Sequence, residues 1–150
     1  MVVATPATAH VSEALKELLR QGYPLGLPPC LTRVKLVSEV QRECLESLLA
    51  NNHIQVVLVV DNPVCGHSGL EDVVEQRASG LEEILGQSVP IDSTSALWGP
   101  IAGVYHQTVV LSVPPSLKGA RAVMQAAGPA LHSIVQSATD KTLTTTNIRL

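Results

Sequence analysis

A carboxylate, a thiol and an imidazole fall within the seven residues DNPVCGH, positions 61–67, directly after the apolar run VVLVV. A thiol placed near a helix start has its thiolate stabilised and can act as a nucleophile. His67 would then serve as base and Asp61 would orient it, the arrangement of a cysteine-dependent hydrolase. Two features of the stretch count against this chemistry. Side chains two apart in a loop seldom reach one another, and the G-x-S/C-x-G pattern of a nucleophile elbow is absent. A small structural cysteine is the competing reading of Cys65. Zinc needs three or four protein ligands, and Cys65 with His67 supplies one close pair. His10, His53, His106 and His132 stand singly, so no metal site is predicted.

A second stretch offers anion chemistry instead. PPSLKG, positions 114–119, joins an apolar segment to a helical one. Ser116 can cap that helix, Lys118 supplies a positive charge, and Gly119 would keep the backbone open to a phosphate. The free N–H groups and the dipole of a helix start favour an anion, although ordinary capping would use the same serine. Ser68-x-x-Glu71 and Ser79-x-x-Glu82 have the form of capping boxes and predict two further helix starts. Neither a P-loop nor G-x-G-x-x-G occurs, so no nucleotide motif is present.

Both stretches need elements to hold them. VVAT at positions 2–5 is a short apolar opening strand, followed by a helix with Val11, Ala14, Leu15, Leu18 and Leu19 on one face and Gly22 after its end. YPLGLPPC, with its prolines, is a loop or an edge strand. The spacing then predicts a second helix, capped by Thr32, that buries Leu36, Val37, Val40, Cys44, Leu48 and Leu49. Positions 54–60 and 108–113 read as strands buried on both faces. Between them fall the helical faces of Leu70, Val73 and Val74 and of Leu81, Ile84 and Leu85, and then an irregular connection with a hairpin near GVYHQ. A long helix follows on Ala120, Val123, Met124, Ala127, Leu131, Ile134 and Val135, which Gly128-Pro129 should kink or split. The polar tail 139–150 reads as a last strand or as frayed. Strands alternating with helices imply parallel βαβ units joined by right-handed crossovers. The fold class expected is α/β, a three-layer α/β/α sandwich on a mostly parallel sheet, with positions 1–150 forming one domain.

Composition narrows the classes of function. Of 150 residues 45 % are apolar, with no Phe and a single Trp, which suits an aliphatic core between sheet and helices. The formal charge is −3, without the basic stripe that nucleic acid requires. No apolar run approaches the ~20 residues of a membrane span. The odd cysteines Cys30, Cys44 and Cys65 do not form a disulfide framework, and a cytoplasmic location is expected.

Two segments, RASGLEEIL and SALWGPIAGVYHQTVVLSVPPSLKGARAVMQAAGPALHSIV, carry a family resemblance. They resemble the molybdopterin-binding domain family, which comprises the MogA/MoaB proteins and the G domain of gephyrin. Family members show an Ala-Pro-Gly segment opening a helix, a Thr-led strand ending Leu-Pro-Gly-Ser-x-Lys, and a last helix with Leu-Pro-His-Ala. Gly80 stands at the first glycine, Thr108 at the threonine, and Ser116 and Lys118 at Ser-x-Lys. PALHSIV matches the last helix. Over positions 11–136 the order of elements also agrees. The resemblance implies molybdopterin as ligand, adenylylation with ATP and magnesium, and a homo-oligomer, commonly a trimer.

By this resemblance Ser116, Lys118 and Gly119 would hold a pterin phosphate or nucleotide, with Gly66 and Ser68 closing the other side. Asp61 would be the carboxylate at the end of the central strand, and is the candidate catalytic residue. The chain departs from the family where the chemistry sits. The family follows its central strand with Thr-Thr-Gly-Gly-Thr-Gly, where this sequence has DNPVCGHS. It also lacks the Ser-Asp that ends the family's first strand and the Asp-x-Ser-Gly that follows it, and Pro115 replaces the glycine before Ser116. Phosphoryl chemistry needs carboxylates to hold the metal. The alternative is therefore a catalytically inactive oligomeric scaffold of the same fold.

Overall fold

The computed structural model describes residues 2–20, 34–36, 42–50, 56–60, 69–90 and 97–148. Cys30, Asp61, Cys65, Gly66, His67 and Ser68 lie outside them, as do Gly22 and Thr32. The elements in chain order are β1 (Val2–Ala4), a 3-10 turn (Pro6–Thr8), α1 (Ala9–Arg20), β2 (Val34–Leu36), α2 (Arg42–Leu49) and β3 (Val56–Val60). There follow α3 (Leu70–Val73), β4 (Gln76–Arg77), α4 (Ser79–Ser88), β5 (Ala102–Tyr105), β6 (Thr108–Val113) and α5 (Leu117–Ile148).

The strands form one six-stranded sheet in the order β2-β1-β3-β6-β5-β4. β2, β1, β3 and β6 run parallel, while β5 pairs antiparallel with β6 and β4 antiparallel with β5. β3 and β6 are the longest strands and are aligned over five residue pairs, from Val56↔Val109 to Val60↔Val113. Alternate side chains on these strands feed two cores. Val2, Ala4, Leu58, Val60, Val109, Leu111 and Val113 meet α1, α4 and α5 on one face. On the other face Val3, Val57, Val59 and Val110 meet α2 and α3. The three-layer α/β sandwich follows from that two-sided burial, because each buried Val or Leu contributes about 1.5–3 kcal/mol. No helix among the described residues is long and apolar enough to cross a membrane.

Four sequence expectations need correction. Residues 34–36 are a strand, not the first turn of a helix capped at Thr32; the next described helix is Arg42–Leu49, and Val37 and Val40 lie outside the described residues. Pairing with β1, through Val2↔Val34 and Ala4↔Leu36, overrides the helical spacing of the apolar residues there. Ile84 is 47 % exposed, so α4 buries only Leu81 and Leu85 of its expected face. α5 is not split at Gly128-Pro129. Ala127 and Leu131 are fully buried on either side of the proline, so one apolar face stays anchored across it. Finally, the expected terminal strand or frayed end is helix up to Ile148.

The segment RASGLEEIL acts as a clamp between layers. Glu82 does not cap its own helix: Ala78 is the N-cap, without a side-chain bond. Its Oε2 instead accepts from the Arg77 guanidinium, with Nε at 2.8 Å, and from the Ala102 backbone N–H at 3.0 Å. That hydrogen bond raises the Arg77 pKa further above its already high ordinary value. One carboxylate thereby ties the start of α4 to β4 and β5. Gly103 lets β4 approach, because a Cβ there would run into the Gln76 carbonyl and the Val74 side chain.

Candidate functional site at the carboxyl edge of the sheet

In an open parallel sheet, ligands bind beyond the strand carboxyl ends where successive crossovers leave on opposite faces. Here that point lies between β1 and β3. The helix after β1, α1, packs on the first face, whereas α3, the next helix after β3, packs on the second. On the β1 side the strand end is followed by Thr5 and Thr8, which close the 3-10 turn. The Thr5 N–H donates to Thr8 Oγ1 at 3.3 Å, and Thr8 Oγ1 lies 3.2 Å from the Thr5 carbonyl oxygen. On the other side β3 ends at Val60, immediately before Asp61 and the residues that carry Gly66 and Ser68.

β6 delivers the second candidate stretch to the same edge, because Val113 is paired with Val60. Ser116 caps α5: its Oγ accepts from the Gly119 N–H at 3.0 Å, and its carbonyl accepts from the Ala120 N–H at 2.9 Å. Gly119 is buried, and the space a Cβ would fill holds the Pro114 ring at 2.6 Å and Ser116 Oγ at 2.8 Å. The glycine therefore serves close packing of the turn, not an open approach for phosphate as the sequence suggested. Ser116 and Gly119 are brought together by this bond, and Lys118 is exposed.

Lys118 lines an open trough of about 480 Å³ between the first turns of α5 and Pro90, the second residue after α4. Arg121 and Gln125 lie on the same wall, and Leu117 and Ala122 complete it. Lys118 and Arg121 are exposed, and neither makes an ion pair among the described residues. Sequence reasoning singled out Lys118 and missed Arg121, Gln125 and Pro90. The i, i+3, i+7 spacing of Lys118, Arg121 and Gln125 was the available signal, since it places them on one helical flank. Pro90 carries no comparable signal.

The residues at the strand ends decide what could be held there. Thr5 to Ser12 and Pro114 to Gly119 supply hydroxyls, backbone N–H groups and one ammonium, and no carboxylate. These described residues suit an anion, and Asp61, the carboxylate that follows β3, lies outside the described residues.

No family model and no curated protein matches this sequence. Solved structures do match the fold. A structure of molybdenum cofactor biosynthesis protein B superposes with a TM-score of 0.71 at 20 % identity, covering 93 % of both chains. The molybdopterin biosynthesis Mog protein from Mycobacterium ulcerans gives 0.71 at 16 % identity, over 91 % of this chain and 95 % of that one. The molybdopterin biosynthesis enzyme MoaB from Thermus thermophilus gives 0.64 at 20 % identity, over 90 % and 94 %. This chain has the MogA/MoaB fold. The likeness suggested by RASGLEEIL and PPSLKG thus holds at the level of architecture. In this MogA/MoaB-like domain the Ser-x-Lys pair opens the helix that follows β6.

Proposed function

We propose that the chain is a molybdenum-cofactor-type domain that binds molybdopterin through its phosphate at the carboxyl edge of β3 and β6. The observation that carries this is the shared fold, over nine-tenths or more of both chains, with proteins of molybdopterin and molybdenum cofactor biosynthesis. The local geometry supports an anion at that edge. Lys118 is free in solvent, and Ser116 fixes the helix start that carries it. Gly119 contributes by letting that turn close, and Gly66 and Ser68 would complete the site from the β3 side. Asp61 is the residue proposed to take part in any adenylyl transfer with ATP and magnesium. Self-association, as a trimer or otherwise, belongs to the same proposal.

A second reading is a binder or oligomeric scaffold without catalysis. The Ser116 hydroxyl is already engaged by Gly119, which favours it. Equilibrium binding of molybdopterin under anaerobic conditions tests the pair, with ATP and magnesium titrated in parallel. Saturable molybdopterin binding that weakens about tenfold in Lys118→Ala is expected, the loss of one charge-assisted contact. A folded protein that binds neither ligand would leave the scaffold.

A further inference from the structure

We draw no further inference here: the strongest candidate, the Glu75–His106 side-chain cluster at the tip of the β5–β6 hairpin, where His106 holds a φ of 53° and its Nδ1 lies 3.4 Å from the Glu75 carboxylate, carries nothing, because both side chains are exposed, their bonds serve the turn itself, and no third metal-ligating group joins them among the described residues.

Discussion

Ser116 is where structural and ligand roles can be separated, because one hydroxyl is asked to do both. In the structure it accepts from the Gly119 N–H, the ordinary bond of an N-cap. A change that removes the cap alters stability and ligand binding together and cannot tell them apart. Aspartate can. It caps as well as serine, and its charge suits the positive end of the helix dipole. Ser116→Asp should therefore keep or slightly raise the midpoint of thermal unfolding, whereas Ser116→Ala should cost about 1 kcal/mol. Against a phosphate ligand the order inverts: the aspartate repels it, and binding should fall about tenfold or more. Phosphate-ligand affinity unchanged in Ser116→Asp would make Ser116 a cap and nothing else. This residue was legible in the sequence, since a Ser between prolines and an apolar-periodic segment is a helix start. The packing duty of Gly119 was not legible, because it depends on the Pro114 ring lying 2.6 Å from the missing Cβ.

Among the elements, the antiparallel edge β4–β5 shows most clearly what pattern reading sees and what it misses. Strands β3 and β6 announce themselves as apolar runs, and the hairpin into β6 was visible in GVYHQ. The two-residue strand β4 was not, because Gln76 and Arg77 are both exposed and have no periodicity. What makes them a strand is tertiary: their pairing with Gly103 and Val104, and the Glu82 carboxylate that binds Arg77 and the Ala102 N–H together. The same limit explains β2, whose three residues become a strand only by lying beside β1. Gly103→Ala tests this account of the edge. Its Cβ would collide with backbone and with the Val74 side chain, neither of which can move away cheaply. Overpacking of this kind costs typically about 1–3 kcal/mol. The amides of Glu75 and Ala78, which donate to the carbonyls of Val104 and Ala102, should then lose protection from hydrogen exchange while the β3–β6 amides keep theirs. Equal loss across the sheet would mean that the edge is not a separate unit.

At the scale of the whole molecule, the sequence implied one domain, an expectation that the two cores make testable. Leu85 on α4 belongs to the first face and Leu49 on α2 to the second, and both are buried, at 0 % and 2 % exposure. They are in different clusters and share no layer of helices. What joins them is the sheet: β3 sends Leu58 and Val60 to one core and Val57 and Val59 to the other, and β6 divides its residues in the same way. A strand cannot lose its contacts on one face and keep its register for the other, because a slip by one residue would exchange the two faces. Leu85→Ala and Leu49→Ala should each destabilise by about 2–5 kcal/mol. Each should shift a single urea transition to lower midpoint, with its slope unchanged, when followed by any probe. Separation into two transitions in either variant would show that the layers fold independently and would refute the one-domain reading. Coincident transitions would tie the ligand edge to both cores. Val60 and Val113, from which that edge begins, are paired in the middle of the shared sheet. That edge would then be lost only when the whole fold is lost. The trough, built of exposed side chains on one helix and a proline beside it, would be open to change by substitution at little cost to stability.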